Sequence, residues 1–243
     1  MRKLLIAAVL ALALAVLATV GAGASASGSN ASIGVSPGSA LEGKGQHARS
    51  KQQRSRGRVR YDNFGRHADA RASWKIISQW KWPENPPVGN LTYCIQSGTA
   101  DIAGTGENGA IKEALGLWDA NAERLSFSEE CKAPNITFNW ATGKHGDVEP
   151  FDGVGKVLAH AFPPSDGRVH FDDDETWTLE KREGSGQPID LVTVAIHEIG
   201  HALGLDHTTD KTAVMWEFYE GSHRFLAKDD LTGLGELFKS LTD

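Results

Sequence analysis

Residues 4–17 form an unbroken apolar run, preceded by Arg2 and Lys3 and followed by small residues that include Ala24, Ser25 and Ala26. A charged start, a run of that length and an A-x-A site predict a secretory signal, cleaved after residues 1–26. The competing reading is an uncleaved anchor, because the apolar stretch continues through Val20 to nearly spanning length. No later segment approaches that length. Over about residues 28–73 the pattern disappears. Gly, Ser and Arg dominate, and too few apolar side chains remain to offset the entropy of ordering them. Periodicity then returns. Residues 90–95, after a turn containing Pro83 and Pro87, have β-forming character and predict a strand. Over 109–125, Ile111, Leu115, Trp118 and Ala122 recur at helical spacing. A second strand is predicted over 135–140, with shorter extended runs over 157–162 and 168–171. Asp190 is a natural N-cap for a helix whose apolar side carries Leu191, Val194, Ala195 and Ile199. Asp229 and Asp230 open a last helix with Leu231, Leu234, Leu237 and Phe238. Strands first with one helix among them, then two helices, give the α+β class.

Composition sharpens the organisation. The 243 residues are 40% hydrophobic and 23% charged, with a formal net charge of −6. That balance excludes collagen, coiled coil and polytopic membrane protein. The charge is segregated. Between Lys44 and Lys75 there are ten Lys/Arg and two acidic residues, whereas from Ile76 onward thirteen Lys/Arg face twenty-eight Asp/Glu. The chain therefore divides into a signal (1–26), a basic arm (27–75) and an acidic domain (76–243). The arm reads either as a solvated linker or tail for anionic polymers, or as a prosegment that docks on the acidic domain. Two cysteines are too few for a thiolate zinc site, and in an oxidising compartment Cys94 and Cys131 could bridge. The alternative is a pair of buried free thiols.

Nine histidines leave imidazole chemistry open. Residues 197–207 read His-Glu-Ile-Gly-His-Ala-Leu-Gly-Leu-Asp-His, the pattern H-E-x-x-H-x-x-G-x-x-H. Two helical imidazoles four residues apart differ by ~40° in azimuth and ~6 Å in height, so His197 and His201 can bind one ion from the same face. Gly204 can adopt positive φ and turn the chain so that His207 returns to it. Three histidines leave a fourth position open, the arrangement of a catalytic zinc. Glu198 is placed to take a proton from a water there.

This motif resembles that of the metzincin metalloproteases, and Met215 resembles their Met-turn. Thr208 after the third histidine is similar to the Ser of matrixins, while Glu217, two residues after Met215, argues against the astacin branch. The resemblance to matrixins continues upstream through His145-Gly146-Asp147, Pro150 to Gly153, Leu158 to Phe162, His170 to Glu175 and Trp177. It implies a twisted, mostly parallel five-stranded sheet with three helices. It also implies a structural zinc on His145, Asp147, His160 and His170, a closed set of three imidazoles and one carboxylate. Asp152, Asp172 and Glu175, with the carbonyls of Gly153, Gly155 and Val157, would hold calcium through hard oxygens. Leu158 and Ala159 would lie on an edge strand that pairs with an extended peptide. Trp216 to Tyr219 would border the pocket for the residue after the cleaved bond, and Met215 would support the metal from beneath.

The expected function is that of a secreted zinc endopeptidase, monomeric, acting on proteins or peptides, with no nucleic acid and no stable membrane association. The rival readings are a zinc- and calcium-binding module without turnover and a surface-retained adhesion protein led by its arm. Several features depart from the matrixin pattern. Segment 163–169 is short and lacks the glycine-rich run that serves a second calcium. Glu217 stands where Pro is usual. The arm has no cysteine to keep the zinc latent, which leaves Asp62 or Asp69 as the candidate for that position. His223 is expected at the surface or on the rim of the cleft, and His47 and His67 are expected to be solvated.

Overall fold

A computed structural model describes residues 58–64, 82 and 89–238. The predicted signal, most of the arm, His47, His67 and Asp69 lie outside them. The chain divides into units 1–51 and 52–243, and every described residue belongs to the second.

The elements in chain order are β1 (Asn90–Ile95), α1 (Gly106–Ala120), β2 (Ser126–Glu129), β3 (Ile136–Ala141), β4 (Ala159–Ala161), β5 (Arg168–Asp172), β6 (Trp177–Thr178), β7 (Ile189–Asp190), α2 (Leu191–Leu203) and α3 (Lys228–Phe238). Five strands form one sheet in the order β2-β1-β3-β5-β4, and β6 pairs with β7 in a small second sheet. Within the large sheet β1, β2, β3 and β5 run parallel, while β4 is antiparallel and forms an edge. This is the mixed, mostly parallel sheet with three helices that the matrixin resemblance implies.

The core follows from periodicity. Ile136, Phe138 and Trp140 alternate inward along β3, while α1 buries Ala110, Ile111, Ala114, Leu115 and Trp118. All thirteen residues of α2 are buried. A helix apolar on every side must be enclosed, and α1 encloses it on one side with β4 and β5 on another. Two indoles fix it further: Trp118 Nε1 donates to the Ile196 carbonyl and Trp82 Nε1 to the Ala202 carbonyl, each at 3.0 Å.

Three elements differ from expectation for identifiable reasons. Helix α1 stops at Ala120 because Asn121 leaves helical geometry and its side chain donates to the Leu117 carbonyl at 2.8 Å. Ala122 and Leu125 therefore pack beyond the helix end. Strand β2 went unpredicted because its sequence, Ser-Phe-Ser-Glu, has one apolar residue and sits at the sheet's other edge. The extended run over 157–162 is divided between two partners: 159–161 pair with β5, whereas Leu158 N donates to Tyr61 O of the arm.

Cys94 on β1 and Cys131 after β2 form a disulfide across a separation of 37 residues. Closing a loop of that size restricts the unfolded chain by roughly 4 kcal/mol. The double variant Cys94→Ala/Cys131→Ser is expected to melt about 10 °C lower by thermal denaturation. An unchanged melting temperature would show that the crosslink does not contribute to stability.

Candidate metal centre

Asp190 starts the helix that carries the motif. Its carboxylate accepts from Val192 N at 3.1 Å and from Thr193 Oγ1 at 2.7 Å, which caps α2. The same carboxylate receives Ser222 Oγ and both Nε and Nη2 of Arg224, so this buried charge is fully partnered. At the other end Gly204 has φ 111°, and the N–H groups of Gly204 and Leu205 close back on the carbonyls of His201 and Gly200. That left-handed turn ends the helix and sends His207 back toward His197 and His201.

The three imidazoles converge. Nε2 of His201 lies 3.1 Å from Nε2 of His197 and 3.3 Å from Nε2 of His207, and the last two are 3.2 Å apart. Their orientation is set from behind. Nδ1 of His197 meets the Val214 carbonyl at 2.7 Å, and Nδ1 of His201 meets the Leu205 carbonyl at 2.8 Å. These contacts require Nδ1 to carry the proton and leave Nε2 as a lone-pair donor. Burial pushes the His197 imidazole down to about 3, outweighing the attraction of Asp62, so it stays neutral and able to ligate. Three lone pairs at such distances repel unless a cation lies among them, and neutral imidazoles suit zinc.

Met215 is buried against α2 at Gly200. A Cβ on Gly200 would come within 2.3 Å of its sulfur and 3.1 Å of the Trp118 ring, so a side chain there would displace Met215. The turn before α3 is held by Asp230, whose carboxylate accepts from the N–H groups of Val214, Met215 and Ala227 at 2.9, 3.1 and 2.8 Å. Glu198 is fully buried, and neither carboxylate oxygen has a hydrogen-bond partner. Burial, and secondarily the charge of Asp62, raises its pKa well above the ordinary carboxyl value.

Of the two arm carboxylates singled out, Asp62 reaches the cluster. Its Oδ2 lies 2.9 Å from His201 Nε2 and 3.7 Å from His197 Nε2, and its Oδ1 lies 3.2 Å from His207 Nε2. Asp62, His197, His201 and His207 thus form one four-ligand group. Rings on either side clamp it: Tyr61 stacks on His197 at 4.0 Å and Phe64 on His201 at 4.0 Å. Arm residues 59–61 run between two segments, with Arg60 bridging Val157 on one side and Phe218 on the other. Arg60 N donates to Lys156 O at 2.9 Å, and both Leu158 N and Ala159 N donate to Tyr61 O at 3.0 Å. On the far side Tyr61 N donates to Glu217 O at 3.3 Å and Tyr219 N to Val59 O at 3.2 Å. Leu158 and Ala159 therefore present their backbone to an extended segment, and here that segment belongs to the chain itself. Trp216 packs against Phe218, while Tyr219 is buried and its hydroxyl accepts from Asp190 N at 3.0 Å. His223 is partly buried against the Phe225 ring.

A second group forms where β4 and β5 place His160 directly opposite His170. Asp147 Oδ2 lies 3.0 Å from His145 Nε2, 3.1 Å from His160 Nε2 and 2.8 Å from His170 Nδ1. His145 Nδ1 is occupied by the Gly143 carbonyl at 2.9 Å. Burial holds His160 down to about 4. Burial also tends to raise Asp147, but bonds from Glu149 N and the imidazoles take it down to about 2. Three imidazoles and a carboxylate again suit zinc, here with all four positions filled by protein.

The oxygen cluster is looser. Asp172 and Glu175 are buried, and Asp172 Oδ2 has no partner. Glu175 Oε1 takes the Gly155 N–H at 2.6 Å and Oε2 takes the Gln187 side chain. Burial, with crowding by neighbouring carboxylates, pushes Asp172 up to about 6 and Glu175 up to about 7. Asp152 faces outward, with Lys156 Nζ at 3.3 Å. Gly153 and Gly155, at φ 79° and 85°, bend the intervening loop, which continues to Val157. An orphaned buried carboxylate oxygen fits an oxygen-seeking divalent cation. Among the described residues, however, only the two histidine groups bring their ligand atoms within 4.8 Å of one another.

Sequence reasoning missed the roles of Tyr61 and Phe64, the Asp190–Arg224 pairing and the three bonds to Asp230. The first two sit in a stretch without periodicity. The others are single polar residues whose partners are distant in sequence.

Comparison with known proteins agrees with this geometry. A family model described as Matrixin matches residues 81–239. The chain is 38% identical over 173 residues to matrix metalloproteinase-C of Caenorhabditis elegans, covering 66% of this chain and 29% of the relative. It is 37% identical over 190 residues to karilysin of Tannerella forsythia, covering 69% and 39%. It is 40% identical over 166 residues to stromelysin-1 of Equus caballus, covering 65% and 33%. The chain thus spans roughly a third of the length of the curated relatives it matches. The family model, the motif and the converging imidazoles lead to one conclusion: this chain belongs to the matrixin family of zinc metalloendopeptidases.

Proposed function

We propose that the chain is a secreted precursor of a zinc endopeptidase, held latent by Asp62. The observation that carries this reading is the meeting of three Nε2 atoms beside the buried carboxylate of Glu198. His197, His201 and His207 would hold the zinc. Bound there, it would supply a Lewis acid that polarises the scissile carbonyl and makes water a better nucleophile at neutral pH. Glu198 accepts the proton of the attacking water and delivers it to the leaving amine. A carboxyl held above its ordinary pKa is better matched to that exchange near neutrality than an ordinary glutamate. Leu158 and Ala159 offer backbone N–H groups that align an extended substrate, and residues 216–219 line the opposite side. His145, Asp147, His160 and His170 would hold a structural zinc that ties the 145–160 loop to β5. Asp152, Asp172 and Glu175 are the carboxylates for calcium. Among the described residues no helix is long and apolar enough to cross a membrane. Secretion rests on the N-terminal sequence.

In the uncleaved chain Asp62 fills the side that the three imidazoles leave open, and segment 59–61 fills the peptide-binding cleft. Removing the segment would free both together. Asp62 takes the place that a cysteine thiolate would need, which fits an arm without cysteine.

Glu198→Gln in the zinc-loaded protein is expected to retain its zinc, measured by elemental analysis, and to lose about 10²–10⁴-fold in peptide hydrolysis. Unchanged turnover would refute its role. Asp62→Ala is expected to raise the activity of the full-length, unprocessed chain about tenfold or more, read with a quenched peptide before any shortening on a gel. A fully latent Asp62→Ala protein would mean that the segment alone blocks the cleft. Chelation is expected to lower the melting temperature. In the metal-free protein, unfolded imidazoles bind protons near the ordinary value of 6.5, while buried His160 and His197 resist until about 4 and 3. On these two groups the unfolded state binds more protons, but between about pH 7 and 4 Asp172 and Glu175, raised by burial, take up protons first in the fold and oppose them. Below about 4 that opposition is spent and Asp147, held down to about 2, adds to the loss, so stability should fall as pH drops from about 4 toward 3. Denaturant melts across that range check it, and a flat profile would contradict it.

A further inference from the structure

Arg58 and Arg60 stand two residues apart on the extended arm, so their side chains share one face. Both reach the segment after Met215. Arg58 Nη2 pairs with Glu220 Oε1 at 2.5 Å, and Arg60 Nη1 pairs with Glu217 Oε2 at 2.6 Å. Both guanidinium groups lie over the Phe218 ring, with Arg58 Cζ 4.0 Å and Arg60 Cζ 4.6 Å from its centroid. Trp216 adds a second ring face 5.6 Å from Arg58. Two carboxylates and two aromatic faces thus hold two cations already seated in the cleft. The combination is chemically specific. Carboxylates attract any cation, but flat ring faces favour the weakly hydrated guanidinium. Glu217, where the family usually has proline, is therefore more than a missing turn residue.

We propose that Glu217, Glu220, Phe218 and Trp216 form a cation-selecting rim that favours Arg, and to a lesser degree Lys, in substrates on the leaving-amine side of the scissile bond. In the precursor Arg58 and Arg60 occupy this rim. The proposal rests on the endopeptidase reading above and on the matrixin resemblance, which implies that residues 216–219 border the pocket for the residue after the cleaved bond. The rim touches no reacting atom, so its residues set specificity and its effect belongs in KM.

The test uses the full-length, zinc-loaded protein after it has been allowed to process itself, with peptides that differ only in Arg, Lys, Gln or Glu within three positions after the cleaved bond. Wild type is expected to favour Arg over Gln by about tenfold in kcat/KM, chiefly through KM and less at high salt. In E217Q/E220Q that ratio should fall toward one. In E217K/E220K the preference should turn toward Glu, which guards against a variant that has merely lost stability. A loss of fold would lower all peptides alike and leave the ratio intact. A wild type that cleaves every peptide equally, or an E217Q/E220Q variant that keeps the Arg preference, overturns the rim and leaves the endopeptidase reading standing. The same holds if the substitutions alter only the release of the arm. A wild type shown by mass to have lost its arm that still cleaves none of the peptides overturns the endopeptidase reading, and the rim with it.

Discussion

Three imidazole lone pairs cannot be held about 3 Å apart in a protein interior without a cation, and much of this molecule exists to hold them there. Two must come from one helix, which fixes α2 as the buried centre of the fold. The third must come from beyond its end, which requires the left-handed turn at Gly204. Each ring also needs an acceptor behind it, and the carbonyls of Val214 and Leu205 serve His197 and His201. The Val214 carbonyl stays in place because Asp230 binds the N–H groups of Val214 and Met215 from α3. Far elements thus converge on one geometric requirement. Even the glycine at position 200 follows from it, since Met215 fills the space a side chain would take.

The arm answers the same requirement from the other direction. Three buried imidazoles converging on one point draw in a carboxylate within reach, and Asp62 is delivered to them by an extended segment with partners on both sides. Tyr61 and Phe64 then stack on two of the ligand rings, which shields the contact from water. The local dielectric falls, and the carboxylate's interaction strengthens. A basic arm and an acidic domain are matched at specific pairs as well as in overall charge. Arg60 meets Glu217, the residue that breaks the usual pattern after the Met-turn, and Arg58 meets Glu220.

How much was legible in the sequence depended on whether a signal was local. The motif at 197–207 and the caps of α2 are local, and the elements around them formed as expected. The second histidine group was legible only through resemblance, because its ligands come from loop 145–147 and two strands that periodicity marks as merely short and extended. In the structure, antiparallel register alone sets His160 opposite His170. Strand β2 and the end of α1 were missed for the opposite reason: a lone Phe and a side-chain cap leave no pattern. The pairing of the arm with the cleft was suggested by a missing cysteine and an available aspartate. The two stacked rings and the flanking arginines were invisible, because a contact across more than a hundred residues of chain has no periodicity to read.

The segment of residues 59–61 has a consequence for the sheet beside it. The rim next to β4 exposes backbone N–H groups at Leu158 and Ala159, the kind of surface on which chains add to one another and aggregate. While the arm is in place, Tyr61 O accepts from both groups and no neighbouring molecule can. The folded chain thus has this edge already satisfied. If the arm is removed as proposed above, the edge would open only at that step, so the surface offered to a substrate would stay covered until then.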